Sequence, residues 1–318
     1  MAFKWARGAL AAVFLAGASF AVFSPQVEAR TAAQAAQWPQ SSGALKPEKD
    51  IVWGQLPNGL RYAIMANKTP TKSVALRLRI GAGSLDETDA QKGLAHFLEH
   101  MAFNGSAKVP EGDMVKILER YGLAFGPDTN AFTSFDQTVY QLELPTNGDA
   151  IVDQGLMLMN ETARNLTLAA DSIDRERGVI KSEERLRNTP AYRAYIAGAK
   201  FTLPNARLTQ RVPIGDLNVI ANAPRDEFVE FYKRAYRPDR ALIVVVGDVD
   251  PAKIAEKIKA QFGDWQAAGA KGETPNSGPA GPAGLDAGYF TEPEAKTTIT
   301  FTYARPYKDV KDTAAQRR

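Results

Sequence analysis

Both histidines of the 318-residue chain stand in one short stretch, GLAHFLEHMAFNGS, running from Gly93 to Ser106. His96 and His100 lie four residues apart, with Glu99 between them. On a helix, residues at that spacing sit one above the other, with about 5–6 Å between Cβ atoms. Two imidazoles so placed can both reach one Zn²⁺ at roughly 2.0–2.1 Å. Glu99 is three positions after His96, so it shares that side of the helix. A carboxylate there can accept a proton from a water that the metal has made more acidic. Two neutral imidazoles leave most of the metal's charge unbalanced, so the pattern calls for an anionic third ligand and an open fourth position. A histidine pair at this spacing is by itself an ordinary feature of a solvated helix face. Here Leu94, Ala95, Phe97, Leu98, Met101 and Phe103 surround the polar trio, and burying it without an ion would be costly.

Such a trio needs a frame. VWGQLPNGLRYAIMAN reads as two strands around the turn Pro57-Asn58-Gly59. SVALRLRIGAG alternates apolar and polar residues, the mark of a half-buried strand, and a loop then leads into the helix carrying the histidines. DMVKILERYG is a short amphipathic helix stopped at Gly122, and NAFTSFDQTVYQLELP two antiparallel strands around Ser134-Phe135-Asp136. Helices follow in DAIVDQGLMLMNETARN, SIDRERGVIKSEERLRN and RDEFVEFYKRAY. ALIVVVGDV is a buried strand, and PAKIAEKIKAQFG a helix that enters on a proline. Strands grouped together and helices in runs predict an α+β fold, a two-layer sandwich with helices on one face of a largely antiparallel sheet.

The acids available as a third ligand on the predicted helix after the hairpin are Glu176, Glu183 and Glu184. Glu176 and Glu183 are two turns apart and share a face, while Glu184 is rotated by about 100°. Spacing alone does not choose among them.

Composition narrows the alternatives. The 39 basic and 36 acidic residues are intermixed, with no basic stripe interleaved with aromatics, which argues against nucleic-acid binding. No cysteine is present, which removes disulfides, thiolate metal sites and a cysteine nucleophile together.

H-x-x-E-H is the reversed form of the common zinc-peptidase signature. With GAGSLDE, GLAHFLEHMAFNGS, NAFTSFDQTVYQLELP, RERGVIKSEERLR and IVVVGDVD in that order between about Val52 and Phe262, the chain resembles the pitrilysin/insulinase-type zinc metallopeptidases, the inverzincins. Within them it is most similar to bacterial exported members. The resemblance implies the mitochondrial processing peptidase/pitrilysin-like metallohydrolase fold and a zinc-dependent endopeptidase acting on peptides or unfolded polypeptides. It points to Glu183 as the ligand that joins His96 and His100 on one Zn²⁺ per chain. Glu99 would be the proton acceptor, and Glu176 the supporting acid. Asn130 and Ala131 match the family's edge-strand position, where a substrate backbone adds as a strand. The gap from His100 to Glu183 is a few residues longer than in compact members, so Glu184 stays the alternative ligand. Family members build a closed chamber from four related domains. A complementary C-terminal half, or a partner subunit, is therefore the expected partner, and a non-catalytic or partner-dependent subunit is the alternative reading.

The remaining segments set the expected organisation. Residues 1–29 carry Lys4 and Arg7, then an apolar run to about Phe23, Pro25 and a small-residue site ending at Ala29. That pattern predicts a signal peptide, cleaved to leave a periplasmic or secreted protein with no stable membrane anchor. Residues 30–48 read as a loose segment, 49–266 as the catalytic domain, 267–288 as a Gly/Pro-rich linker, and 289–318 as the start of a second, incomplete domain. In that last part KTTITFTYARPY reads as a strand.

Overall fold

A computed structural model describes Trp38, residues 45–124, Gly126, and residues 128–279, 284–293, 296–303 and 313–316. The predicted signal peptide, 1–29, and most of the segment 30–48 lie outside the described residues. Among those described, no helix is long and apolar enough to cross a membrane.

Six strands form one sheet: β1 Ile51–Gln55, β2 Arg61–Ala66, β3 Val74–Ile80, β4 Thr129–Thr133, β5 Thr138–Leu144 and β6 Ala241–Gly247. Their order is β1-β2-β6-β3-β5-β4. Only β2 and β6 run parallel, and every other neighbouring pair is antiparallel. The period of two is carried furthest in β3. Val74, Leu76, Leu78 and Ile80 are buried, and Ala75, Arg77 and Arg79 are turned to the other face. β6 inserts between β2 and β3 although it lies 160 residues further along than β3, so the sheet closes only late in the chain.

Eight helices belong to the described residues. They are α1 Leu94–Met101, α2 Asp113–Arg120, α3 Asp149–Arg164, α4 Ala170–Arg187, α5 Pro190–Thr202, α6 Leu217–Asn222, α7 Arg225–Ala235 and α8 Pro251–Phe262. The predicted α+β architecture is the one observed, with the core between the helices and the apolar face of the sheet. Gly155 shows how close the layers come, because a Cβ there would stand 2.6 Å from Leu76 Cδ1. α5 and α6 were not foreseen from the periodicity. α5 starts on a regular signal, in which the Thr189 side chain accepts from the Tyr192 N–H and Pro190 takes the first turn.

The C-terminal part departs from expectation. Residues 267–279 and 284–288 hold no helix or strand, yet the segment is tied back to the domain. Lys271 pairs with Asp239 at 2.8 Å, and the Arg207 N–H donates to the Ser277 carbonyl. Residues 296–303, read from alternation as a strand, carry none. Ile299, Phe301 and Tyr303 stand largely exposed, because the described residues offer them no neighbouring strand to complete a ladder.

Candidate metal centre

α1 has eight residues, too few to hold a helix alone in water. Packing holds it instead. Leu94, Phe97 and Leu98 are fully buried, and the Phe97 ring meets Phe228 of α7 edge-on at 4.8 Å. Its entry depends on two glycines. Gly93 sits at φ 100°, Gly215 at φ 82°, and a Cβ on Gly93 would stand 2.9 Å from Gly215 Cα. The first N–H groups of the helix find a carboxylate. Glu87 accepts from Gly93 N at 3.0 Å and from Ala95 N at 2.9 Å while fully buried. Burial pushes the Glu87 carboxyl up to about 8, against the pull of those two N–H groups and of Arg211.

α4 runs past the polar side of α1. Ile173 and Ile180 are buried seven residues apart. That register turns Glu176 and Glu183, also seven apart, toward the histidines. Arg177 reinforces it by donating to the carbonyls of Ile220 and Ala223, at the end of α6.

The two helices bring three ligand atoms together. His96 Nε2 and His100 Nε2 are 3.3 Å apart. Glu183 Oε2 lies 3.5 Å from the first and 3.3 Å from the second. Donors bonded tetrahedrally at roughly 2.0–2.1 Å would be spaced about 3.3–3.4 Å apart. The triangle therefore has the size that a zinc ion requires, and its donor set of two imidazoles and a carboxylate suits that ion. Among the described residues this is the one group of three such side chains able to hold a metal. Burial, followed by the neighbouring His100 and Arg187, pushes His96 down to about 3, which keeps its ring neutral.

Around the triangle His96 Nδ1 is buried without a hydrogen-bond partner, while His100, Glu99 and Glu183 are each held by a neighbouring side chain. Glu176 Oε1 lies 2.8 Å from His100 Nδ1, and Oε2 accepts from Asn104 at 3.0 Å. With Glu176 receiving an Nδ1 proton, His100 presents Nε2 to the centre. Burial lowers the His100 ring, but the bond to Glu176 together with the negative charges of Glu176, Glu99 and Glu183 outweighs it, and the net shift is upward. Glu176 is correspondingly lowered by His100. Glu99 is buried and accepts from Thr133 Oγ1 at 2.6 Å. Burial raises its carboxyl, and the Thr133 bond moderates the rise. Glu183 Oε1 pairs with Arg187 at 2.6 Å. The alternative acid, Glu184, instead accepts from Asn188 at 3.2 Å on its own helix.

Asn130 and Ala131 lie on β4, at one edge of the sheet and against α1. Asn130 is exposed, and its side chain accepts from the Ala131 N–H at 2.8 Å. The structure thus brings His96, Glu99, His100, Glu176 and Glu183 into one cluster, with Asn130 and Ala131 on the strand beside it. Sequence reading assigned no role to Glu87, Asn104, Thr133 or Arg187. Glu87 and Thr133 fall inside the quoted strings GAGSLDE and NAFTSFDQ, and Arg187 follows Glu183 at the spacing of an ion pair.

Comparison with known proteins gives consistent matches. The family model described as "Insulinase (Peptidase family M16)" matches residues 62–193, and "Peptidase M16 inactive domain" matches 222–316. The second match begins ahead of β6 and α8, which complete the six-stranded unit. The probable zinc protease PqqL of Haemophilus influenzae is 39% identical over 212 residues, covering 67% of this chain and 23% of that protein. Its Escherichia coli counterpart is 38% identical over 218 residues, covering 69% and 23%. The chain thus spans about a quarter of the length of these curated relatives. Among solved structures, the first half of the periplasmic protease PqqL from Escherichia coli superposes with a TM-score of 0.70. The identity is 36%, over 74% of this chain and 50% of that one. A protease from Helicobacter pylori superposes at 0.65 with 29% identity, over 72% and 54%.

Proposed function

The chain belongs to the insulinase family, peptidase family M16, and from that membership we propose that it carries the catalytic site of a zinc-dependent endopeptidase. His96, His100 and Glu183 would hold the ion. The observation that carries the reading is the triangle of ligand atoms, 3.3, 3.3 and 3.5 Å on a side, with Glu99 on the same helix. Zinc, when bound, supplies Lewis acidity, making a water more acidic and polarising a carbonyl.

The chain's own residues do the rest. Glu99 takes a proton from the attacking water and returns it to the leaving amine. Thr133 fixes Oε2 of Glu99 by its hydrogen bond, which leaves Oε1 to handle that proton. Glu176 holds His100 in the tautomer with Nε2 free. β4 offers Asn130 and Ala131 as the edge on which a peptide would lie extended, as an added strand.

The substrates are peptides or unfolded polypeptides outside the cytoplasm. The N-terminal residues 1–29, of signal-peptide pattern, support export. So does the likeness to a protein described as the periplasmic protease PqqL. Most of each PqqL relative lies outside the stretch matched here. We assign to such further domains, covalently joined or supplied as a partner, the enclosure of the substrate and the stabilisation of the developing oxyanion.

The test is a quenched peptide incubated with the zinc-loaded chain, alone and with a complementary C-terminal half, and with Glu99→Gln as background. Cleavage that needs Glu99 and rises with the added half is the expected result. Zinc binding without Glu99-dependent cleavage in either mixture would leave a non-catalytic member of the fold.

A further inference from the structure

The geometry points to Arg187 as a positioning residue for the metal centre: it holds Glu183 so that only one carboxylate oxygen faces the histidines. This rests on the zinc site proposed above. The two oxygens of Glu183 are divided between different partners. Oε2 lies 3.5 and 3.3 Å from the two histidine Nε2 atoms, while Oε1 is 2.6 Å from Arg187 Nη2. A charge-assisted bond of that length fixes the rotation of the carboxylate plane. With Oε1 engaged, Glu183 contributes a single donor atom. The fourth position then stays open for water or substrate, as a catalytic zinc site needs.

The local sequence provides for this contact. Arg187 follows Glu183 by four residues, with the acid N-terminal to the base, the favourable order on a helix. It is also the last residue of α4, where the helix end favours a cation. The side chain is 54% exposed. As a surface ion pair it would add little to the stability of the fold, so an effect on metal binding can be separated from an effect on folding.

Two physical accounts of Arg187 predict opposite signs. If it acted only as a nearby positive charge, it would repel the ion, and removing it would tighten zinc binding. If it acts by orienting Glu183, removing it frees the carboxylate to rotate and weakens binding. The second effect works through direct contact with a ligand, whereas the first is screened through solvent at a half-exposed side chain. Partners of metal ligands typically contribute about 10–100-fold to metal affinity.

The experiment measures zinc affinity of the 318-residue chain by competition with a chromophoric chelator. The variants are Arg187→Gln, Arg187→Lys, Arg185→Gln and Glu183→Gln. Cobalt(II) absorption of each reports the coordination, and melting of each without metal reports folding. Arg187→Gln should lose about 10–100-fold in zinc affinity and alter the cobalt spectrum with melting unchanged. Arg187→Lys should recover part of the loss, and Arg185→Gln should behave as wild type. Unchanged or tighter zinc binding in Arg187→Gln, with Glu183→Gln losing the metal, overturns this inference alone. Unchanged binding in both overturns the zinc site with it. A loss in Arg187→Gln that follows a lowered metal-free melting point and is not rescued by lysine also overturns it.

Discussion

Thr133, near the end of strand β4, donates its hydroxyl to Glu99 Oε2 at 2.6 Å, so the edge strand and the metal-bearing helix meet at one carboxylate. Two elements 34 residues apart in sequence are coupled through a buried acid. The strand on which a substrate is proposed to lie also orients the group proposed to move its proton.

That relationship predicts a selective defect. In peptidase assays with the complementary half present, Thr133→Val should lower kcat by roughly 10–100-fold, since hydrogen bonds to charged groups contribute about 1.5–3 kcal/mol. KM and zinc content should stay near wild type. Thr133→Ser, which keeps the hydroxyl, should recover most of the rate. Equal kcat in the valine and wild-type enzymes would show that Glu99 is oriented without Thr133.

Glu87 predicts a pH dependence of stability. Burial raises its carboxyl to about 8 in the folded chain, against 4.5 for the free side chain. The folded state therefore holds this proton more tightly than the unfolded chain does. The associated stability is fully present below about 4.5 and is lost as pH rises through about 8. Denaturant melts of wild type and Glu87→Gln should thus diverge between these values. The wild type should lose up to about 1.4 kcal/mol per pH unit relative to the variant. The amide cannot accept both backbone bonds with two oxygens, so a constant offset between the curves is also expected, and the slope is the quantity to read. Parallel curves would mean that the carboxyl titrates as it does in the unfolded chain.

The helix that carries the histidines relies on its apolar side. Phe97 is fully buried against Phe228, and Phe97→Ala should destabilise the domain by roughly 3–5 kcal/mol. Phe97→Leu should cost less than half as much. Chemical denaturation measures both, and a loss below about 1 kcal/mol for the alanine would show that the site closes around the missing ring.

Much of this was legible along the chain because the signals are local. Period-two alternation marks β3, proline entry marks α8, and the histidines with Glu99 need only one helical turn to declare themselves. What was not legible depends on partners distant in sequence. Alternation at Ile299, Phe301 and Tyr303 looks like a strand, but a strand exists only with a neighbour to bond, and none is present among the described residues. Spacing could not choose between Glu183 and Glu184. The packing of Ile173 and Ile180 into the core sets the rotation of α4 and so turns Glu183 toward the histidines. Thr133 was hidden because only the folded hairpin lays it on α1. α5 is a different case, since Thr189 and Pro190 announce its start and the weak periodicity behind them obscured it.

The central claim is that His96, His100 and Glu183 together hold one zinc ion, and metal content of the purified chain tests it most directly. Wild type and Glu184→Gln should each carry about one zinc per chain after dialysis, and His96→Ala and Glu183→Gln should lose most of it. Glu99→Gln should keep its zinc, because Glu99 is assigned to the proton and not to the ion. Equal zinc in wild type and His96→Ala would contradict the site. Loss in Glu184→Gln with retention in Glu183→Gln would contradict the assignment of the third ligand.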